Sequence, residues 1–218
     1  MNIPTKNIYC ISGLGADERA FDRLNISGYS LHHLKWIPPL ANENLSSYAS
    51  RMLGQIKESN PIILGLSFGG MIAIEMAKHI RVEKLILIST VKTYLEIPKW
   101  MRIAGTLRLH KILPIKANRL TQRADDRRMG IETIDEKMFV DQYRKNVDRK
   151  YVHWAVDQII TWENTWVPSN VFHIHGEYDR MFPLRNIQAN YVVKNGTHIM
   201  ILNKADEISA CIEQILLA

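Results

Sequence analysis

Six short aliphatic segments, spread along most of the chain, constrain the fold more than any other feature of the sequence. They are rich in Ile, Val and Leu, and they are nearly continuous rather than alternating between apolar and polar residues. Such runs are typical of parallel strands that are covered on both faces by helices. The predicted strands are residues 7–12, 30–36, 61–66, 84–90, 171–175 and 190–194.

Helical patterns alternate with several of these strands. Residues 44–58 carry apolar side chains at three- and four-residue spacing, with Asn42 or Asn44 as the expected cap. Residues 68–79 follow the third strand directly, and residues 204–217 place Ile208, Ile212 and other apolar residues on one face. The alternation predicts an α/β fold of three layers, with about six parallel strands and right-handed crossovers.

The regular alternation stops between the fourth and fifth predicted strands. About seventy-five residues there show no strand pattern. Apolar residues repeat at helical intervals from Trp100 to Ile112, Pro114 interrupts them, and further helices fit residues 134–143 and 151–162. An insertion at this point leaves the carboxyl edge of the sheet, where ligands of open α/β sheets bind. We therefore expect a single domain, residues 1–218, in which residues 92–167 form a helical cap.

The net charge of +6 belongs to one part of the chain. Residues 92–150 contain fifteen Lys and Arg against eight Asp and Glu, so the remainder is nearly neutral. This segment has no RNP-like aromatic run, zinc-finger spacing or helix-turn-helix pattern, so we expect no nucleic-acid partner. The sequence favours a solvated basic helical surface. Attraction of anionic substrates or of membrane headgroups is the alternative.

Several other classes of protein are disfavoured by the sequence. No segment approaches the roughly 18 apolar residues that span a bilayer, and no secretory leader is apparent at the first residues. Two cysteines, Cys10 and Cys211, are too few for a disulfide framework. No phosphate-binding glycine motif occurs. We expect a cytoplasmic protein without stable membrane insertion that acts on a small molecule, and its oligomeric state stays open.

A glycine-flanked serine lies where the third predicted strand gives way to a helix. Gly65-Leu66-Ser67-Phe68-Gly69 matches G-x-S-x-G, which occurs by chance in many chains, but here it follows an aliphatic strand and opens a helix. A serine at such a turn adopts a strained backbone, and the glycines allow close approach of neighbouring segments. The motif therefore indicates an exposed hydroxyl, and an ordinary glycine-rich turn is the alternative.

Two further residues follow strand ends at the same edge of the predicted sheet. Asp179 comes just after the fifth strand, with Glu177 as a rival, and His198 follows the sixth strand. A serine becomes nucleophilic when a base takes its proton and a carboxylate orients that base. Ser67, Asp179 and His198 therefore form a candidate catalytic set. His173 and His175 face the same side of a strand and suit a metal, but a packed or hydrogen-bonded pair is favoured because no third ligand is apparent.

With these motifs the whole chain resembles the α/β-hydrolase family. GLSFGG is similar to the family's nucleophile elbow, HGEYDRMFP to its acid loop and GTHIM to its histidine loop. The resemblance implies that Ser67 is the nucleophile, His198 the general base and acid, and Asp179 the orienting carboxylate. It also implies that the backbone N–H groups of Leu14 and Phe68 bind the oxyanion, and that no metal or organic cofactor is needed.

The sequence departs from the family pattern at two points. Many members have His before the first-strand glycine where this chain has Ser12, a change that leaves the N–H donors in place. The family's usual first two antiparallel strands look absent, so we expect a minimal six-stranded version of the fold. The predicted function is a serine hydrolase of small esters or thioesters. A cofactor-free lyase or C–C bond hydrolase using the same residues is one alternative, and a non-catalytic binding protein is another.

Overall fold

The computed structural model describes residues 6–108 and 119–218, and the predicted helical positions Ile112 and Pro114 lie outside these ranges. Within them the chain forms one sheet of six strands, and every neighbouring pair is parallel. The order across the sheet is β2-β1-β3-β4-β5-β6. The strands are β1 (Lys6–Ile11), β2 (Tyr29–His33), β3 (Ile62–Leu66), β4 (Lys84–Ile88), β5 (Val171–Gly176) and β6 (Tyr191–Val193).

Side chains that alternate along the strands build two separate cores, one on each face of the sheet. On one face Ile11, Ile63 and Leu87 pack with the helices that follow β2 and β3. On the other face Leu64 and Ile88 pack with the C-terminal helices. Because both faces are covered, the central strands are buried along nearly their whole length, which explains why their sequences are aliphatic throughout. The three-layer architecture predicted from the sequence is confirmed.

Eight α-helices surround the sheet in the described parts of the chain. Asn44, one of the two predicted caps, is the N-cap of the α1 helix, and its side chain accepts a hydrogen bond from the backbone N–H of Ser47 at 2.8 Å. The helices are α1 (Leu45–Met52), α2 (Phe68–Ala77), α3 (Lys99–Thr106), α4 (Arg119–Met129), α5 (Ile134–Asn146), α6 (Arg149–Thr161), α7 (Met200–Asn203) and α8 (Ala205–Leu217). None of them is both long and apolar enough to cross a membrane.

The described residues between β4 and β5 are helical, and they contact the loops at the carboxyl edge of the sheet. Val147, which joins α5 to α6, lies beside Gly15 in the loop after β1. Trp154 of α6 packs edge-on against Phe68 at the start of α2, with ring centroids 6.0 Å apart. Gly130, after α4, packs against Thr197. These contacts support the predicted cap over a site at this edge.

Some boundaries differ from those predicted. The first helix ends at Met52 and continues as a 3-10 turn to Gln55 rather than as α-helix to residue 58. β2 ends at His33 rather than at Trp36, because the indole of Trp36 turns back to the loop after β1, where its Nε1 donates to the carbonyl of Ala16 at 3.0 Å. The α4 helix was not predicted. Its sequence is strongly polar and offers no apolar stripe to recognise.

Candidate active site

Ser67 lies between the end of β3 and the start of α2, with a backbone conformation that is rare for a residue with a side chain. Its φ is +51° and its ψ is −120°. Two hydrogen bonds secure this turn, because the Ser67 N–H donates to the carbonyl of Ile88 at 2.9 Å and the Thr90 hydroxyl donates to the carbonyl of Ser67 at 2.6 Å. Such strain persists only where the surroundings enforce it, and it is frequent at functional sites.

The two glycines of the motif allow the backbone to pack without Cβ atoms. A Cβ at Gly65 would lie 2.5 Å from the Cα of Gly70, and one at Gly69 would overlap the carbonyl oxygens of Ile11 and Ser12. Only glycine therefore fits at either position. The close approach brings the loop after β1 next to Ser67, where the Cβ of a residue at 13 would lie 3.4 Å from the Ser67 Cβ.

The structure brings Ser67, His198 and Asp179 into one hydrogen-bonded row. Nε2 of His198 is 2.9 Å from the Ser67 Oγ, and its Nδ1 is 2.8 Å from Oδ2 of Asp179. Because the carboxylate accepts, Nδ1 carries the proton, and Nε2 is left to accept from the serine hydroxyl. The arrangement can therefore move the hydroxyl proton onto His198 while Asp179 stabilises the resulting charge.

The Asp179 carboxylate is buried and well supplied with donors. Its Oδ1 accepts from the backbone N–H groups of Met181 and Phe182, each at 2.8 Å. Burial by itself raises the pKa of Asp179, but the adjacent His198 and these donors outweigh it, and the pKa is lowered overall. The group is therefore an anion at neutral pH. Glu177, the rival in the sequence, is exposed, and its Oε2 accepts from the N–H of Asn195 at 3.0 Å.

The two backbone N–H groups expected to bind an oxyanion, those of Leu14 and Phe68, have no hydrogen-bond acceptor in the described parts of the chain. Phe68 is the first residue of α2, and Leu14 follows the glycine that touches Ser67. The free N–H groups at the start of a helix also carry its positive dipole end. Two amides of this kind form a suitable site for a developing oxyanion.

Ser12, at the position where many family members have His, holds the loop that carries Leu14. Its hydroxyl donates to the carbonyl of Ala16 at 2.7 Å. It also accepts from Nε1 of Trp36 at 3.0 Å and contacts Nε2 of His33 at 3.2 Å. The contributions of Trp36 and His33 were not foreseen from the sequence, because nothing local marks two residues after β2 as partners of Ser12.

Aromatic side chains form the wall next to Phe68. The Trp36 ring stacks on the Phe68 ring with centroids 5.9 Å apart, and Trp36 also packs against Tyr151 at 5.4 Å. Trp154 completes the cluster from α6, and its Nε1 donates to the carbonyl of Glu43 at 2.8 Å. Phe68 and Tyr151 are buried, and this aromatic cluster joins the loops at the edge of the sheet to the helices after β4.

His173 and His175 lie on β5, directly behind the acid loop. Both are fully buried, and the Nδ1 of His175 is 3.3 Å from the Nε2 of His173. The pair is hydrogen-bonded, as favoured from the sequence. In the described parts of the chain no three His, Cys, Asp or Glu side chains come together as a possible metal site.

Comparisons with protein families and with curated protein sequences find no match. Solved structures do match over nearly the whole chain. MenH from S. aureus has a TM-score of 0.73 at 19% identity, covering 99% of this chain and 95% of its own. A thermophilic esterase from Thermogutta terrifontis has 0.69 at 14%, covering 97% and 89%. A meta-cleavage product hydrolase from Pseudomonas fluorescens has 0.67 at 14%, covering 97% and 90%.

The sheet order, the serine turn after β3 and these structural matches agree with one another. The motifs in the sequence had predicted the same architecture. The chain therefore has the α/β-hydrolase fold.

Proposed function

We propose that this protein is a serine hydrolase that cleaves a small ester or thioester through an acyl-enzyme on Ser67. One observation carries the proposal: the unbroken row from the Ser67 Oγ through His198 to Asp179, with contacts of 2.9 and 2.8 Å. Nucleophile, base and orienting acid are each within hydrogen-bond distance of the next. The N–H groups of Phe68, which directly follows Ser67, and of Leu14, which follows a glycine packed on Ser67, support the proposal as oxyanion donors.

In the first half of the proposed reaction the Ser67 Oγ bonds to the carbonyl carbon while His198 Nε2 takes the hydroxyl proton. The carbonyl oxygen becomes an oxyanion that accepts from the N–H groups of Leu14 and Phe68. The bond to the leaving alcohol or thiol then breaks, and His198 donates its proton to that group. Each preorganised N–H contributes about 3–4 kcal/mol to the stability of the transition state.

In the second half water attacks the acyl-enzyme and gives a proton to His198. The second oxyanion uses the same two N–H groups. When the bond to Ser67 breaks, His198 returns the proton to the serine oxygen and the acid product leaves. Every proton passes through Nε2, so the sequence of steps needs no metal or organic cofactor. The aromatic wall formed by Trp36, Tyr151 and Trp154 favours an apolar acyl group.

Hydrolysis of p-nitrophenyl esters and acyl thioesters of increasing acyl length tests this function. We expect turnover by the wild-type protein, with a preference among acyl lengths that reflects the aromatic wall. Ser67→Ala is expected to lower kcat by about 10⁴-fold or more, because nothing replaces the nucleophile. Equal turnover by the folded Ser67→Ala variant would show that the reaction does not use this residue.

A C–C bond hydrolase or cofactor-free lyase on the same three residues is the second candidate. The structural match to a meta-cleavage product hydrolase favours it, since that protein shares the fold over nearly the entire length of both chains. The two candidates make different predictions. A C–C bond hydrolase is expected to turn over a meta-cleavage product faster than any of the esters, whereas the first proposal predicts the reverse.

A further inference from the structure

The pair formed by His173 and His175 is not used in the reaction proposed above, yet it contacts the acid loop directly. Nε2 of His175 is 2.8 Å from the carbonyl oxygen of Phe182 and 3.5 Å from Oδ2 of Asp179. Both imidazoles are fully buried on a strand whose other side chains, Val171, Phe172 and Ile174, are apolar and pack toward the cores. Burying two polar rings costs free energy unless their nitrogens are paired.

Hydrogen bonding determines the tautomer of His175. The carbonyl of Phe182 can only accept, so Nε2 of His175 carries a proton. In a neutral ring Nδ1 is then an acceptor, and it faces Nε2 of His173 at 3.3 Å, which must donate. His173 consequently has its lone pair on Nδ1, the buried atom for which the described residues supply no partner. Burial lowers the pKa of both rings and keeps them neutral.

Both backbone polar groups of Phe182, its N–H and its carbonyl, are hydrogen-bonded in this arrangement. Its N–H donates to Oδ1 of Asp179 at 2.8 Å, and its carbonyl accepts from His175. The Phe182 ring also meets the His198 ring edge-on, with centroids 5.5 Å apart. A displacement of Phe182 would therefore alter the carboxylate and the imidazole together.

We propose that His175 is a positioning residue, which uses its Nε2–H to hold Phe182 and thereby fixes the Asp179 carboxylate against His198. His173 supports it by donating to Nδ1 and so selecting the tautomer. The inference rests on the proposed function, because positioning has meaning only if Asp179 and His198 take part in turnover. It adds to that function a residue that acts through the three predicted residues.

Steady-state kinetics of two His175 variants on the best p-nitrophenyl ester test the proposal. His175→Phe keeps a ring but removes the N–H, and we expect kcat to fall by about 10- to 100-fold with KM unchanged, since small misplacements of a catalytic group have effects of this size. His175→Gln places an amide N–H near the position of Nε2, and we expect it to recover most of the kcat.

Ile174→Val is the matched control for a loss of packing on the same strand. Ile174 is fully buried but packs in the core on the opposite face of the sheet. The control is expected to lower the melting temperature while leaving kcat at the wild-type value. The proposal is overturned if folded His175→Phe keeps the wild-type kcat, or if Ile174→Val and His175→Gln lose as much kcat as His175→Phe.

Histidine tautomers measured by ¹⁵N NMR in the wild-type protein give an independent test that does not depend on the variants folding. We expect His173 and His175 to be neutral Nε2–H tautomers at neutral pH, and an Nδ1–H tautomer or a doubly protonated ring at His175 overturns the proposal. Failure of the proposed function looks different. In that case the wild-type protein shows no turnover that depends on Ser67, and the positioning role falls with it.

Discussion

Ser67 combines a strained backbone with a hydroxyl that lies within hydrogen-bond distance of an imidazole. Its φ of +51° is held by hydrogen bonds from Thr90 and to Ile88. The strain points the side chain away from β3 and toward His198, at 2.9 Å. The surrounding hydrogen bonds hold this strained conformation, and the conformation places the hydroxyl within reach of the imidazole.

A pair of amide substitutions can test whether Asp179 or Glu177 is the carboxylate that orients His198. Asp179→Asn keeps the size of the side chain but removes the charge that stabilises His198 after proton transfer. The amide can also donate to Nδ1 of His198, which favours the tautomer that cannot accept the serine proton at Nε2. We expect kcat for ester hydrolysis to fall by about 10³- to 10⁴-fold. Glu177→Gln is the matched control, since Glu177 is exposed and bonded to Asn195. A large loss in Glu177→Gln with little loss in Asp179→Asn would reverse the assignment.

The candidate site residues could be proposed from the sequence because each follows a strand end in a recognisable local pattern. Ser67 has its glycines, and Asp179 and His198 follow strands of one sheet. The partners behind them have no such pattern. In the sequence His175 is not distinguished from the other residues of its strand. Its contact with Phe182 depends on how the acid loop folds back over β5.

The packing of the junction between β3 and α2 depends on two glycines. The strand ends one residue before Ser67 and the helix begins one residue after it. Gly65 and Gly69 pack directly on neighbouring backbone. The same junction that presents the hydroxyl therefore also joins the serine turn to the loop after β1.

Gly65→Ala tests this packing. The added Cβ would lie 2.5 Å from the Cα of Gly70, which is backbone that cannot rotate away, so α2 must shift. We expect the free energy of unfolding to fall by about 1–3 kcal/mol and kcat for ester hydrolysis to fall with it. Chemical denaturation and ester kinetics measure the two effects.

Gly54→Ala is the control for this substitution. Gly54 has open space around the position of a Cβ and no positive φ. We expect the alanine there to leave stability unchanged or to raise it by up to about 1 kcal/mol, through a less flexible unfolded chain. Equal stabilities of the two variants would contradict the packing argument for the serine turn.

Elements with an apolar pattern were predictable, and those without one were not. All six strands were anticipated, because burial on both faces requires continuous aliphatic residues. The α4 helix, RLTQRADDRRM, is mostly polar and has few apolar residues, and charge pairs link it to α5. Asp126, for example, pairs with Lys137 and Arg144 of α5. Such tertiary pairs leave no periodic mark in the sequence.

For the whole molecule, the sheet brings together residues that are far apart in the chain. Ser67 and His198 are separated by 131 positions, yet the loops that carry them, after β3 and after β6, leave the same edge of one parallel sheet. Trp154 of α6 and Val147, which joins α5 to α6, contact Phe68 and Gly15 at that edge. The site therefore exists only in the folded chain, and its activity is expected to vanish when the chain unfolds.

The stability of the whole molecule is expected to fall as the pH decreases from 7 to 5. Burial lowers the pKa of His173 and of His175 in the folded state, so below pH ~6.5 the unfolded chain binds protons that the folded chain does not. Each such group lowers the free energy of unfolding by up to about 1.4 kcal/mol per pH unit. Glu96, whose pKa is raised by burial, offsets a part of this at the lower end.

Denaturant titrations at pH 5, 6 and 7 give the free energy of unfolding at each pH, and its slope against pH measures the effect. His175→Gln removes one of the two histidines, so its slope is expected to be smaller than that of the wild-type protein whatever its stability at pH 7. Identical stability of the wild-type protein at pH 5 and pH 7 would contradict the buried neutral state of the pair.

The central claim is that Ser67 is a nucleophile activated by His198. The most direct measurement is reaction of the native protein with a fluorophosphonate probe, followed by mass spectrometry of the labelled peptide. We predict one phosphonyl group on Ser67, with labelling lost in Ser67→Ala and strongly slowed in His198→Ala. A folded wild-type protein that stays unlabelled, or that is labelled equally in Ser67→Ala, contradicts the account.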